Sequence, residues 1–302
     1  MSRLQADLLL LLAAIIWGAA FVAQKDAMDH VGVYAFLTAR FGISVFLVLP
    51  LALRERKRMA VDALRLSHAK KDITWLCVAF VAGVIFQQEG VALTSVTNAG
   101  FLTGVYVLFV PVICALLYKE KLTRLVFPAA ALSVAGVWLL SGGLSSAVLS
   151  LGDLLVLCCA VAFAFHVTLI GRVMWRVKAP FQLCLLQYSV LTAITLVLTI
   201  ALESPTWEGL MQAAIPILYA GIFSGGVAYT VQVVAQQHTP ASDSAVILSA
   251  EALFAALFGF LMMGDRLTFE GGIGCGFIIC AILMVEFGPL MMKSKRAAQN
   301  QG

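Results

Sequence analysis

Apolar residues run through the chain in long blocks, separated by short clusters of charge, glycine, proline or asparagine. A helix needs about 20 apolar residues to cross a bilayer. Blocks near that length predict ten helices, over 7–24, 34–53, 72–93, 98–118, 124–141, 151–170, 181–202, 212–235, 241–264 and 269–288. In the ninth block, Ala241 to Thr268, Glu251 sits near the middle of an apolar segment long enough to cross a bilayer. It stands about ten residues into its helix, roughly 15 Å along the axis, which is close to the bilayer midplane. A carboxylate at that depth costs roughly 2.5 to 3.5 kcal/mol on insertion scales unless it faces protein or water. The pattern therefore predicts an all-α integral membrane protein organised around a polar group at its centre.

Composition agrees with that pattern. Hydrophobic residues make up 62% of the 302 and charged residues 12%, whereas soluble chains average about 25% charged. Mean hydropathy is +0.98. Ten spans use most of the length and leave room only for short loops. If the amino terminus is inside, the 20 basic residues, all but Lys25, Arg40 and Arg266, fall in inner segments. These segments hold Arg3, Arg54 to Lys71, Lys119 to Arg124, Arg172 to Lys178 and Lys293 to Arg296. The positive-inside rule then places both termini in the cytoplasm, with the chain spanning the inner (plasma) membrane many times. The basic loop Arg54 to Lys71 is explained by topology and lipid headgroups, so no nucleic-acid partner is expected. Seven cysteines lie within apolar blocks with no CxxC pair and no histidine cluster. Free thiols are expected, with no metal site and no disulfide framework. The first block, Leu8 to Ala23, lacks a cleavage site and is read as the first span.

The chain looks duplicated. Ala99 to Thr123 echoes the ninth block, and Pro111 follows Val110 as Ala252 follows Glu251. Tyr34 to Phe41 lines up with Phe181 to Tyr188, which sets Arg40 opposite Gln187. An uncharged Gly/Ser stretch, Ser141 to Ser150, divides the chain near its midpoint. The expected organisation is a five-helix repeat over 1–145, a second over 146–290 and a cytoplasmic tail over 291–302. Five spans is an odd number, so the second copy enters from the opposite side and the repeats are inverted. Inverted repeats around a midplane site are a common architecture of secondary transporters.

Polar residues inside spans usually face the bundle interior or a water-filled cavity. Glu251 reads either as a neutral acid hydrogen-bonded between helices or as a cavity group that meets a cationic part of a substrate or exchanges a proton. Arg40 lies about six residues inside the outer end of its span, within reach of snorkelling to the interface. It could instead pair with Glu89 or hold a substrate carboxylate or phosphate in its planar fork. Of Gln87 and Gln88, one can face a cavity while the other packs. Tyr229, Gln232 and Gln236 share a helix face, and Thr103 and Tyr106 are similarly spaced; such stripes line pathways or bond helices together. His166 is the one intramembrane histidine, and it reads as a packing or a site residue. Trp17 precedes Gly18, a small residue that lets another helix or a ligand approach. The glycine pairs Gly100/Gly104, Gly221/Gly225 and Gly272/Gly276 predict close helix packing. The candidate substrate-binding set is Trp17, Arg40, Gln87, Glu89, Tyr106, His166, Gln187, Tyr229, Gln232 and Glu251. No GxxxxGK[ST], GxSxG or HExxH occurs, so ATP hydrolysis and the commoner hydrolytic chemistries have no support, and no cofactor is expected. The alternatives are a membrane-embedded enzyme, with Glu251 and His166 as acid and base, and a receptor.

Trp17 to Lys25 in the first span, Arg40 in the second, Pro111 in the fourth and Glu251 to Thr268 followed by Gly272, Gly274 and Gly276 resemble the EamA-type transporters of the drug/metabolite transporter superfamily. The resemblance covers nearly the whole chain. It implies a ten-helix inverted-repeat carrier of small molecules, often an exporter of amino acids or related metabolites, working by alternating access. Members commonly carry Glu-Pro in the ninth span, where this chain has Glu251-Ala252. The resemblance thus gives no ground for a break in the ninth helix. The topology has a direct check: a fluorescent protein fused after Gly302 should fluoresce, while a phosphatase that folds only outside the cytoplasm should be inactive there.

Overall fold

The computed structural model describes residues 1–58, 63–119, 125–140, 150–263 and 268–299. The linker at 141–149 and the loops at 120–124 and 264–267, where the sequence marks the joint and the echoing charges, lie outside the described residues. Each of the ten expected spans is a helix. They are α1 (Arg3–Ala27), α2 (Val33–Arg58), α3 (Ala63–Leu93), α4 (Val96–Leu116), α5 (Val126–Leu140), α6 (Leu151–Val177), α7 (Pro180–Leu202), α8 (Ala214–Ala235), α9 (Ala241–Met262) and α10 (Phe269–Gln299). Eight are long and apolar enough to cross a membrane, while α5 and the apolar part of α10, Phe269–Met284, are shorter. A short helix, Trp207–Gln212, precedes α8. Several helices outrun their apolar blocks because Arg, Lys and Gln favour the helix beyond the hydrocarbon. Trp175 and Trp207 are exposed near helix ends, as expected of residues that prefer the membrane–water boundary.

The bundle pairs α3 with α6, α2 with α7, α5 with α10, and α1 with both α8 and α9. Lipid supplies little hydrophobic drive between helices, so close backbone approach has to supply packing instead. At Gly18 an added Cβ would stand 2.7 Å from the Phe254 carbonyl carbon and 2.8 Å from the Ala255 nitrogen. At Gly100 it would stand 2.9 Å from Ala255 Cβ, and at Gly221 2.9 Å from the Arg40 carbonyl oxygen. These glycines let α1 and α4 lie against α9, and α2 against α8. The third pair departs from expectation, since nothing lies within 4 Å of a Cβ at Gly272 or Gly276. The contact on α10 is made by Gly274, whose carbonyl oxygen would be 2.6 Å from a Cβ at Gly136 on α5. Two residues along a helix is about 200°, so Gly274 faces the opposite way from its neighbours.

Three interruptions shape the interior. α4 breaks at Val105, between Val96–Gly104 and Tyr106–Leu116. α9 breaks at Ser249 even though Ala252 is not proline. There the Ser249 hydroxyl donates back to the Val246 carbonyl at 2.6 Å, and Ala252 N–H donates to Ser249 O at 3.2 Å, a tighter turn. Serine back-bonding of this kind bends helices. In α8, Ala220–Ala228 widens into a π segment.

The inversion is written into the hydrogen bonds. Glu203, after α7, accepts from Tyr34 N–H at 3.0 Å and Ala35 N–H at 2.8 Å, capping the start of α2. Glu55, near the end of α2, accepts from Gln182 N–H at 2.9 Å and from Phe181 N–H, capping the start of α7. A carboxylate at a helix N-terminus satisfies orphan N–H groups and meets the positive end of the helix dipole. Each helix of the α2/α7 pair thus caps the other, at opposite faces of the bundle.

Gly18→Ala should lower stability by about 1 to 3 kcal/mol, because its Cβ meets backbone and cannot be relieved by a rotamer change. Gly276→Ala should lie within about 0.5 kcal/mol of the parent. Thermal unfolding in detergent distinguishes the two.

Candidate functional site

The π segment of α8 carries Gly221, Gly225 and Gly226, and α2 lies close against it. Ser44 of α2 donates to the Gly221 carbonyl at 2.8 Å, fixing that approach. The wider π turn presents Ser224 to two other helices, in keeping with the recurrence of π segments at functional sites. Its carbonyl accepts from Trp17 Nε1 at 3.2 Å. Its hydroxyl accepts from Arg40 Nη2 at 2.8 Å, while Arg40 Nη1 donates to Gln24 Oε1 at 3.1 Å. Arg40 is 1% exposed. It therefore does not snorkel, because neutral acceptors on α1 and α8 hold its head inside. It does not pair with Glu89 either. Glu89 is half-buried and accepts from the Tyr34 hydroxyl on α2. Arg40 forms no ion pair with a described carboxylate at contact distance.

Glu251 is 3% exposed and stands just past the Ser249 break, with Tyr106 just past the Val105 break. The Tyr106 hydroxyl lies beside the Glu251 carboxylate. Neither that hydroxyl nor Glu251 Oε1 completes a hydrogen bond of ordinary geometry, and the same holds for Arg40 Nε and Gln232 Oε1. Buried polar atoms are nearly always bonded, so several unbonded ones around a single space point to a ligand or water partner.

That space is one cavity lined by Trp17, Gln24, Arg40, Gln87, Tyr106, His166, Ser224, Tyr229, Gln232 and Glu251, among others. Its volume of about 20 Å³ accommodates about one water. The side chains thus leave little free room at this site. Tyr229 forms an aromatic wall, with its ring 4.7 Å from Trp17 and 5.1 Å from Phe80. Gln87 faces the cavity and donates to Thr103 at 3.4 Å, while Gln88 packs and donates to the Gln24 carbonyl at 3.4 Å.

The structure thus brings eight of the ten candidates to one cavity and leaves two outside. Glu89 sits with Tyr34. Gln187 stands behind the cavity wall, where its Nε2 donates to Leu183 O and its Oε1 accepts from His166 Nε2 at 2.6 Å. Arg40 and Gln187, matched by the repeat, each bond the first helix of their own repeat. Gln236, on the Tyr229 and Gln232 face, lies beyond the cavity and donates to the Val167 carbonyl at 2.9 Å. Past it, toward the Arg3 end of the bundle, a larger opening of about 390 Å³ is lined by Arg172, Arg176 and His238, among others. Gln24, Thr103 and Ser224 also line the cavity without having been among the candidates. The three glycines around Ser224 were the available signal for it. All seven cysteines are free.

Comparison with known proteins agrees with the bundle. A model of the EamA-like transporter family matches residues 4–142 and again 150–287. The chain is similar to an uncharacterized transporter of Archaeoglobus fulgidus, at 30% identity over 94% of this chain and 87% of that protein. It is also similar to the uncharacterized transporter YwfM of Bacillus subtilis, at 24% identity over 97% of both. A solved crystal structure shares the fold with a TM-score of 0.77, at 17% identity over 93% of this chain and 96% of that one.

Gln187→Leu should leave the buried His166 N–H unbonded and lower stability by about 1 to 3 kcal/mol. Glu89→Gln, which touches nothing in the cavity, should leave the Kd read from any ligand-induced thermal shift within about twofold of the parent's, about 0.4 kcal/mol. A shift abolished by Glu89→Gln would contradict its exclusion from the site.

Proposed function

Because the chain belongs to the EamA-like transporter family, we propose that this multi-pass membrane transporter moves amino acids or related small metabolites by alternating access, with the Arg40–Glu251 cavity as its substrate site. One observation carries this reading: a buried guanidinium and a buried carboxylate line the same closed space between two inverted repeats, and both keep unbonded polar atoms there. A carboxylate on the substrate fits the Arg40 fork. An ammonium fits Glu251, and the walls of Trp17, Tyr106 and Tyr229 suit an apolar or aromatic body.

Residues 1–145 and 146–290 act as the two repeats, with 291–302 as a tail, and both termini face the cytoplasm of a cell whose inner membrane holds the protein. The direction is export, as the family resemblance suggests. Glu251 exchanges a proton during the cycle, since an acid at this depth is held neutral more cheaply than charged. The chain acts as a carrier and not as an enzyme.

The test is a thermal-shift screen of purified protein against amino acids, nucleosides, sugars and phosphorylated metabolites, followed by efflux of the ligand from loaded vesicles. A ligand at about 100 times its Kd stabilises by about 2.7 kcal/mol. The expected result is a shift from a zwitterion, lost in both Arg40→Gln and Glu251→Gln. A shift that survives both changes contradicts the site. An exporter exchanging substrate for an incoming proton runs faster as the outside pH falls, and Glu251→Gln should flatten that dependence. Retention of the parental rate and pH profile in Glu251→Gln overturns the proton role.

A further inference from the structure

Two hydrogen-bonded clusters occupy equivalent places at opposite faces of the bundle. At the Ser150 face, Thr94, just past the end of α3, donates to Asp153 Oδ1 at the start of α6 at 2.6 Å. The Asn98 amide also bonds Asp153. At the Arg3 face, Thr239, between α8 and α9, donates to Asp7 Oδ1 at the start of α1 at 2.6 Å. Asp243 stands beside Asp7, and Arg3 joins both carboxylates, at 3.4 Å to Asp7 and 2.7 Å to Asp243. The paired residues lie 145 or 146 positions apart in sequence, Asp7 with Asp153, Thr94 with Thr239 and Asn98 with Asp243, a register that sets Glu251 opposite Tyr106 and not Val110. Each cluster ties the first helix of one repeat to the end of the third helix of the other. Thr94, Thr239, Asp7, Asp153 and Asp243 are each less than a tenth exposed.

We infer that Thr94–Asp153 and Thr239–Asp7 are two alternating clasps, each of which must open for the central cavity to reach its own face while the other stays shut. The inference rests on the transport reading above. With both clasps formed the cavity has room for about 20 Å³, about one water. At the Arg3 face the cavity and the larger opening are separated by the Gln236–Val167 bond, a few residues from Thr239 on the same segment. Opening that clasp frees the segment carrying this bond. The clasps differ in chemistry. Asp153 is held by a hydroxyl and a neutral amide, whereas Asp7 and Asp243 are like charges reconciled by one arginine. Arg3→Gln therefore leaves those two carboxylates facing each other. It should favour opening at the Arg3 face, as Thr239→Val does.

The test places Thr103→Cys in the cavity, on a background with the native cysteines replaced. Labelling by a membrane-impermeant maleimide is then followed in right-side-out and inside-out vesicles. The parent is labelled from both faces. Thr94→Val is expected to raise the ratio of Ser150-face to Arg3-face labelling about tenfold, the population change equivalent to about 1.4 kcal/mol. Thr239→Val and Arg3→Gln lower that ratio, the Thr94→Val/Thr239→Val pair returns it toward the parent's, and Thr94→Ser leaves it unchanged. Ratios that do not move, or that move the same way for both Thr→Val changes, overturn the clasps while the two-faced parent labelling keeps alternating access. Labelling from one face alone in the parent and every variant overturns alternating access and the clasps together. If the cysteine-free protein does not accumulate, hydrogen exchange on the chain with its native cysteines decides instead. Thr94→Val should speed exchange around 90–98 and 151–157 only, and Thr239→Val around 3–10 and 236–245 only. Exchange raised equally at both faces in each variant overturns the inference.

Discussion

A guanidinium buried at bilayer depth without a carboxylate in contact constrains much of this structure. Arg40 can remain there only because neutral oxygens meet its head, and each requires its own backbone arrangement. Gln24 brings α1 into line with α2. Ser224 reaches Arg40 from a π segment whose glycines admit α2. The same serine's carbonyl orients Trp17, and Trp17 stacks against Tyr229. Gly18, next in sequence, lets α9 come close enough for Glu251 to line the same cavity. A charge is costly in hydrocarbon, so the neutral oxygens of Gln24 and Ser224 have to offset the cost of burying the Arg40 head.

The two repeats supply the rest of the frame by exchanging carboxylates. Glu203 and Glu55 cap each other's helices, while Asp153 and Asp7 hold the opposite faces. In a bilayer an uncapped helix end must find a partner within the protein or reach the headgroups. Duplication followed by inversion provides such partners in pairs, so the carboxylate caps and the Thr–Asp bonds at one face have counterparts at the other. An arrangement with two equivalent faces is suited to exchanging one open face for the other.

The spans were legible because hydrocarbon thickness fixes the length of an apolar block, and all ten expected helices are present. Glu251 stood out because a lone carboxylate in an apolar run is rare. Arg40's environment was less legible: a position six residues from a helix end suggested snorkelling, whereas the serine and glutamine that hold it lie 184 and 16 residues away in sequence. The distant partner could be found only once α8 was placed. Glu89 looked like the natural counter-ion because opposite charges attract. A tyrosine on α2 claims it instead. The break in α9 escaped a proline-based reading because a serine hydroxyl produces it. Gly272 and Gly276 carried the spacing of a packing motif but not its orientation, since the face that meets α5 is set by Gly274.

The most direct measurement is a structure of the purified protein with the ligand from the stability screen bound. The account predicts ligand density between α1, α2, α8 and α9, with an anionic group at Arg40 and the opposite end toward Glu251. Density confined to the opening lined by Arg172 and Arg176, with the Arg40 cage unchanged around a closed cavity, would contradict it.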